Sequence, residues 1–346
     1  MGSVKDVVVL REAGVSEPGV GRFIFSDRYS VFDWGEMPDH LLGKGKSLCI
    51  ATAYFFEKLE DMGIKTHYLG VVEDGKVKRL KDLKEPQNVL EFKLLRVLRP
   101  KLVSGRYDYS IYRSERGNFL IPLEVIYRNS LPEGSSVFRR LKEGSLRLED
   151  LGFKEMPEPG RILERPIVDF STKLEATDRY LSWREAMDIC ALSEMELNDI
   201  KEITLAVDAL ITKEVERLGL FNEDGKVEFG FDEGRNLVLV DALGTLDECR
   251  FSYKGVPVSK EIARIYYRKT DWYKEVADAK SKDRVNWKSL VKVSPPKLPE
   301  RLAKLISQVY MAYANELTGR DWFDVPPLRE ILKEIEGAFE SYGEGA

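Results

Sequence analysis

The sequence predicts an α+β protein whose sheets are largely antiparallel. Strand-like segments dominate the first third of the chain, a long β-hairpin pattern follows residue 220, and the chain after Ser259 has a helical pattern almost to its end. Strand-rich and helix-rich regions that follow one another, instead of alternating, favour this class over a parallel α/β fold. The 346 residues, 43% of them hydrophobic, suffice for one large or two modest domains.

The first third contains one clear helix among predicted strands. Apolar residues recur at helical spacing between Leu48 and Met62, so we predict a helix over 45–62 that ends at Gly63. The segments with strand character are 22–27, 67–72, 89–98 and 119–128.

The later elements follow from turn and capping signals. A short helix is predicted over 137–141, and a long amphipathic pattern predicts a second helix over 193–218. Two β-rich runs flank Asp232–Asn236, and acidic, Gly and Asn residues between such runs predict a hairpin.

Composition excludes several functional classes. The net charge of -5 argues against a nucleic-acid-binding protein. The sequence contains neither an apolar run long enough for a membrane span nor a signal peptide. The three cysteines are scattered and only two histidines are present, which disfavours disulfides, a zinc site or a histidine-based triad. We therefore expect a cytoplasmic protein that acts on small molecules and has no nucleic-acid or membrane partner. A homo-oligomer is compatible with this composition.

The hairpin carries a candidate metal site. Lys226 and Glu228 are two residues apart and share a face of one strand. If the turn keeps an even register, Asp241 lies on the same solvent-facing surface, opposite or diagonal to Glu228. Two carboxylates there could share one Mg²⁺ with nucleotide phosphates, and the lysine could reach a phosphate oxygen. A solvated hairpin face without a ligand is the alternative.

Two glycine-containing segments are candidate anion sites. Gly14, Gly19 and Gly21 precede Arg22 and a strand, and their backbone N–H groups could approach phosphates, although an ordinary surface loop fits equally. Lys44 and Gly45 begin the first helix, where N–H groups favour anions, and a plain helix N-terminus is the alternative.

Other polar residues suggest contacts with a substrate. Asp33 ends a dense polar patch over 26–33, which is either a salt-bridge network or a set of substrate contacts. Arg128 ends a strand, and Ser135 and Ser136 begin a helix shortly after it. Together with Arg250 they could hold a phosphate monoester, although the serines also fit a simple N-cap.

These residues lie in segments that resemble the SAICAR synthetases, the phosphoribosylaminoimidazole-succinocarboxamide synthases of purine biosynthesis. The segments occur in the family's order and span most of residues 20–270. They are SDRYSVFD at 26–33, GKGKSL at 43–48, IPLEVIYRNSLPEGSS at 121–136, PIVDFSTKLEATD at 166–178, KVEFGF at 226–231 and LVDALGTLDECRF at 239–251.

The resemblance implies an ATP-grasp-like, two-lobed fold and an ATP- and Mg²⁺-dependent ligase. The reaction would join L-aspartate to the carboxylate of carboxyaminoimidazole ribonucleotide (CAIR) through an acyl phosphate. It implies that Glu228 and Asp241 hold Mg²⁺ and that Lys226, with Lys173 and Asp178, serves the nucleotide and catalysis. The implied substrate contacts are Arg128, Ser135, Ser136 and Arg250 for the ribotide and Asp33, Lys44 and Gly45 on the acceptor side.

The implied organisation has three parts: an N-terminal lobe over 1–98, a central ATP- and substrate-binding lobe over 99–255, and a helical region over 256–346. Two departures from the family pattern stand out. GVSEPGVGR replaces the usual Gly-Lys-Val-Arg type of phosphate loop, and Asp241-Ala242 replaces Asp-Glu. A ligase for another carboxylate or amine, or a catalytically silent nucleotide-binding homologue, are the alternatives.

Overall fold

The computed structural model describes residues 4–343, and the side chains of residues 4–338. Its N-terminal part is a five-stranded antiparallel sheet with the strand order β1-β2-β5-β3-β4. The strands are β1 (Lys5–Arg11), β2 (Gly19–Phe25), β3 (Tyr68–Glu73), β4 (Lys76–Lys78) and β5 (Val89–Leu94). A separate two-stranded ribbon of β6 (Lys101–Val103) and β7 (Arg106–Asp108) follows.

The second sheet has eight strands and carries several of the polar candidate site residues described above. Six of them follow the order β11-β10-β9-β12-β14-β15, and β8 and β13 both pair with β12. The strands are β8 (Phe119–Leu120), β9 (Leu123–Leu131), β10 (Arg161–Thr172), β11 (Tyr180–Leu181), β12 (Phe221–Phe231), β13 (Leu237–Val240), β14 (Cys249–Tyr253) and β15 (Val256–Pro257). The named pairs of both sheets are antiparallel, which confirms the predicted class.

The helices pack around these sheets. Helix α1 (Lys44–Asp61) packs on the first sheet, and the short α2 (Ile111–Ser114) contacts α4. The helices α3 (Ser136–Lys142), α4 (Trp183–Cys190) and α5 (Glu194–Glu216) follow strands of the second sheet along the chain. The C-terminal helices are α6 (Glu261–Tyr267), α7 (Asp271–Lys282), α8 (Glu300–Thr318) and α9 (Leu328–Gly343). Short 3₁₀ turns occur at Leu80–Asp82, Glu149–Leu151 and Trp287–Leu290.

Local sequence signals explain several boundaries. Ser193 and Glu196 form a reciprocal capping box at the start of α5, and Gly63 follows the end of α1 with a φ of 80°. The predicted strand over 119–128 is interrupted at Ile121-Pro122, because proline has no N–H for the ladder. The predicted strand over 89–98 ends early, at Leu94.

One hydrophobic core runs through both sheets and the C-terminal helices, from Phe23 in β2 to Ile335 in α9. Helix α1 packs on the first sheet and on α8. From α8, the buried Tyr313 donates a hydrogen bond to the carbonyl of Gly244, just after β13. The C-terminal helices therefore support the loops that leave the hairpin, next to the candidate site.

Candidate active site

Polar side chains alternate along one face of the second sheet. Arg128 on β9 and Arg250 on β14 both pair in register with Asp224 on β12. Lys226 and Glu228 follow Asp224 on the same strand at spacings of two residues, so they share its face. The sheet thus brings two arginines together at one end of a row and a lysine with a carboxylate at the other.

The hairpin register differs from the predicted one. Glu228 lies opposite Val240, so strand alternation alone would direct Asp241 to the other face of the sheet. Asp241 instead follows the end of β13 with a left-handed backbone, φ 65°, and its charge raises the pKa of Glu228. The expectation of a solvent-facing surface is also wrong, because Glu228 is only 3% exposed.

Three lysines neutralise these two carboxylates. Lys173 Nζ lies 2.5 Å from Glu228 Oε1, Lys226 Nζ lies 3.5 Å from the same oxygen, and Lys5 pairs with Asp241. Burial and the nearby Asp241 raise the pKa of Glu228. Burial also opposes ionisation of Asp241, but Lys5, Lys173 and Lys226 together hold its pKa below the usual range. The cluster is therefore rich in charge around a buried carboxylate.

An apolar pocket of about 210 Å³ adjoins this cluster. Both sheets contribute to its walls, which carry mainly apolar and aromatic side chains and end at the charged cluster. The lining residues include Val7, Phe23, Phe92, Leu94, Leu95, Val97, Leu120 and Val240, followed by His67, Lys173, Glu228 and Asp241. Such a cleft suits a flat heterocycle whose phosphates extend toward the lysines.

Lys226 stands at the centre of the row. Its ammonium lies 2.9 Å from Glu124 and 3.6 Å from Glu248 as well as near Glu228. Burial lowers the pKa of Lys226, but these three carboxylates raise it well above the ordinary value. The side chain is therefore a permanent cation, suited to a phosphate oxygen and not to accepting a proton.

The arginine end of the row opens into a pocket of about 360 Å³ that Arg128, Ser136, Arg250 and Lys226 help to line. Arg128 is buried and donates to Asp169 at 3.1 Å and to Ser136 Oγ at 3.2 Å. Ser135 is the N-cap of α3, where its hydroxyl accepts a hydrogen bond from Val137 N–H. The structure thus brings Arg128, Ser136 and Arg250 together, while Ser135 has the capping position.

The predicted anion site at the start of α1 is occupied by the protein itself. The Asp27 carboxylate accepts hydrogen bonds from the backbone N–H groups of Gly43 and Gly45. Lys44 is fully buried, and its Nζ lies 2.6 Å from Asp247 and 3.1 Å from the Arg28 carbonyl. These contacts favour a supporting role for Lys44 and Gly45 beside the site.

Asp33 and Asp178 lie at the same cleft. Asp33 lines a pocket together with Asp247 and Glu248, and Lys280 Nζ lies 2.7 Å from its carboxylate. Asp178 is exposed, yet partial desolvation and the charge of Glu124 raise its pKa, an effect that Lys226 partly opposes.

The glycine segment before Arg22 does not line the apolar pocket. Gly19 and Gly21 are strand residues of β2, and Gly14 lies in the preceding turn, where its carbonyl accepts a hydrogen bond from Asn118. Arg22 faces away from Phe23, which lines the apolar pocket, and its Nε lies 2.8 Å from Glu91. The basic N-terminal residue at the cluster is instead Lys5.

Sequence reasoning missed Lys5 although a signal existed. Gly2-Ser3-Val4-Lys5 has the spacing of the Gly-Lys-Val-Arg phosphate loop. The resemblance assigned that loop to residues 14–22 instead. Other missed residues are acidic partners of the named cations. They are Glu124, Asp169, Asp224, Asp247 and Glu248, of which Asp224 lies two residues before Lys226 and so shares its strand face.

The chain is similar to known proteins over most of its length. The model of the SAICAR synthetase family matches residues 14–280. A relative from Archaeoglobus fulgidus, provisionally named phosphoribosylaminoimidazole-succinocarboxamide synthase, is 54% identical over 340 residues, 98% of this chain and 100% of its own length. A phosphoribosylaminoimidazole-succinocarboxamide synthase from Thermoplasma acidophilum is 32% identical over 307 residues, 87% of this chain and 93% of that protein.

Solved structures agree at the level of the fold. The SAICAR synthase of Saccharomyces cerevisiae, complexed with SAICAR, aligns with a TM-score of 0.62 and 21% identity and covers 93% of this chain and 94% of its own. A SAICAR synthetase in complex with ADP aligns with a TM-score of 0.55 and 24% identity over 86% of this chain and 99% of its own. The fold is therefore the ATP-grasp-like fold of these enzymes.

Proposed function

This chain belongs to the SAICAR synthetase family, and we propose that it uses ATP to join L-aspartate to the carboxylate of CAIR, giving SAICAR. The observation that carries the proposal is the row of side chains on one sheet face. Asp224, between the two arginines, and Glu228, in the lysine cluster, are four residues apart on β12, which corresponds to about 13 Å along a strand. That span leaves room for a ribotide between its phosphate site and a transferable phosphoryl group.

Glu228 and Asp241 fit a Mg²⁺ ion that is shared with ATP. Mg²⁺ sites on nucleotides commonly use one or two carboxylates together with the phosphates, and this cluster supplies two. When bound, the ion neutralises charge on the transferred phosphoryl group. The present partners Lys173 and Lys5 would turn from the carboxylates toward the phosphates as the nucleotide enters.

The lysines and the apolar pocket define the nucleotide side. The adenine ring would lie among the apolar side chains between the two sheets, next to Phe23 and Leu120. Lys5, Lys173 and Lys226 would contact the phosphates. Since the pKa of Lys226 lies well above its ordinary value, this contact persists over the physiological pH range.

The arginine end would bind the ribotide phosphate. Arg250 and Ser136 line the pocket and offer donors to a phosphate monoester, and the guanidinium of Arg250 is fixed by a 2.7 Å bond from Nε to Asp224. Arg128 is more deeply buried and contributes charge while it orients Ser136.

The proposed chemistry has two steps. The CAIR carboxylate attacks the γ-phosphorus of ATP, and ADP leaves, which gives an acyl phosphate. The aspartate amine then attacks the acyl carbon, inorganic phosphate leaves, and the amine loses a proton. Asp178, whose pKa is raised by partial desolvation and by Glu124, is a suitable acceptor for this proton. The reaction needs no covalent enzyme nucleophile.

A coupled assay of ADP release tests the function. Purified protein is mixed with ATP, Mg²⁺, CAIR and L-aspartate, and each component is omitted in turn, while product formation is followed by mass spectrometry. We expect SAICAR only in the complete mixture. ADP release that does not depend on aspartate, or that requires another amine or carboxylate, would contradict the proposal.

A further inference from the structure

Residues 99–118 leave the apolar pocket and return to it. Val97, just before this segment, and Leu120, just after it, both line the pocket. The segment itself forms the β6–β7 ribbon and the short α2. Tyr112 of α2 is buried and donates a hydrogen bond to the Leu98 carbonyl, which fixes the segment to the fold. The ribbon is therefore an anchored extension at the edge of the candidate nucleotide site.

A loop of the second sheet carries two residues of the candidate site. Strand β10 ends at Thr172 and β11 begins at Tyr180, so Lys173 and Asp178 both lie in the loop over 173–179. The two strands pair with each other at the base of the loop, but the loop has no regular secondary structure. Contacts from neighbouring segments therefore help to fix where the Lys173 side chain points.

Two tyrosines of the ribbon contact the middle of this loop. Tyr107 lies in β7, and its hydroxyl accepts a hydrogen bond from the backbone N–H of Ala176 at 2.8 Å. Tyr109 follows β7, and its hydroxyl donates to Glu175 at 2.8 Å. Burial and the hydrogen bond to Glu175 raise the pKa of Tyr109, so the hydroxyl remains a donor at physiological pH. Glu175 also pairs with Arg179 at 3.0 Å, which ties the middle of the loop to its end.

These contacts fix the backbone on both sides of Lys173. Its own N–H donates to the Pro122 carbonyl at 3.1 Å, and the residue bound by Tyr109, Glu175, lies two positions later. The Lys173 side chain reaches Glu228 from this fixed backbone, with Nζ 2.5 Å from Oε1. A lysine whose backbone is already ordered loses less conformational entropy when its ammonium contacts a phosphate.

We propose that Tyr107 and Tyr109 are positioning residues for nucleotide binding, which hold the 173–179 loop with Lys173 directed toward the phosphates of ATP. The inference rests on the proposed function, because it concerns the ATP that the ligase uses. Both hydroxyls bond residues of the loop, so their effect on ATP passes through the loop. The expected signature is a change in ATP affinity that depends on the presence of Lys173.

The test measures the affinity for ATP in the presence of Mg²⁺ by calorimetric titration. The double variant Tyr107→Phe/Tyr109→Phe keeps both rings and removes both hydroxyls. Loss of these hydrogen bonds should weaken ATP binding about 10-fold and leave the affinity for CAIR unchanged. Tyr112→Phe is the matched control, because it removes a hydroxyl of the same segment that bonds Leu98 instead of the loop. This control should bind ATP like the wild type.

Lys173→Met separates positioning from a general disturbance of the fold. Glu228 keeps Lys226 as a cation at 3.5 Å in that variant, so the protein should remain folded. The two tyrosine changes, added to Lys173→Met, should weaken ATP binding by less than about 2-fold, because the loop then carries no lysine to position.

Three results would overturn the inference. They are an unchanged ATP affinity in the double variant, an equal loss of affinity in Tyr112→Phe, and an undiminished effect of the tyrosine changes in the Lys173→Met background. A wild-type protein that binds ATP but does not join aspartate to CAIR would overturn the proposed function alone. A wild-type protein that does not bind ATP would overturn both.

Discussion

Lys173 Nζ lies 2.5 Å from Oε1 of Glu228, a carboxylate that is only 3% exposed. A buried carboxylate is costly without a partner, and this lysine supplies one. Burial lowers the pKa of Lys173, but Glu228 and Asp241 raise it above its ordinary value. Lys173 is therefore protonated at neutral pH. In the proposed reaction the same lysine and carboxylate separate, one toward the phosphates and one toward the metal ion.

Glu228→Gln tests the metal assignment. The amide keeps the shape of the side chain but removes the charge, so we expect kcat to fall on the order of 100-fold or more. The folded state should persist, since the Lys173 side chain is partly exposed and retains the nearby Asp241 as a counter-charge. Glu233→Gln, an exposed residue in the turn of the same hairpin, is the control. Near-normal turnover with normal Mg²⁺ dependence in Glu228→Gln would refute the assignment.

Lys5→Met and Arg22→Met test which basic residue of the N-terminal sheet contacts the ATP phosphates. The structure places Lys5 at the cluster, whereas the glycine segment predicted Arg22. Lys5 pairs with Asp241 in the cluster, whereas Arg22 pairs with Glu91 on the opposite side of β2. We therefore expect Lys5→Met to raise the KM for ATP about 10-fold or more and Arg22→Met to change it little. Steady-state kinetics decide the question, and the reverse order of effects would restore the role of Arg22.

Arg250→Lys and Arg128→Lys test the ribotide phosphate site. A lysine cannot reproduce the two-pronged geometry of a guanidinium, so both changes should weaken CAIR binding about 10- to 100-fold and leave ATP binding unchanged. Arg128 is also buried between Asp169 and Asp224, so its replacement should additionally lower the free energy of unfolding by about 1–3 kcal/mol.

Calorimetric titrations of CAIR and ATP, combined with urea unfolding, separate the two effects. Equal CAIR affinity in wild type and Arg250→Lys would remove the phosphate site from this end of the row. Equal wild-type affinity for CAIR and its dephosphorylated nucleoside would do the same.

Sequence patterns located most elements because local signals and tertiary packing agree. The spacing of Leu48, Phe55 and Leu59 predicted α1, and all three are buried there. Glu228 and Asp241 were found from the hairpin, but their approach could not be derived from it. The left-handed backbone at Asp241 overrides strand alternation, and no residue spacing in the hairpin records it.

Charged partners were the main omission. Lys44 was predicted to bind a ligand because it lies at a helix N-terminus, yet a carboxylate 203 residues later in the chain, Asp247, is its partner. Such pairings depend on how distant segments meet, and no local spacing records them. Lys5 was overlooked for a different reason. The longer glycine segment at 14–22 was interpreted as the phosphate loop, and the start of the chain was not considered.

His67 makes stability depend on pH beside the apolar pocket. Burial lowers the pKa of His67 to about 4, despite the opposing charge of Asp241. Because the unfolded histidine binds a proton near pH 6.5, stability should fall as the pH decreases from about 6.5 to about 4, by about 3 kcal/mol. His67→Gln should remove this part of the pH dependence. The exposed His40, changed to Gln, is the control and should keep the wild-type slope. Urea unfolding across this range measures the difference, and parallel curves for wild type and His67→Gln would show that His67 is protonated equally in both states.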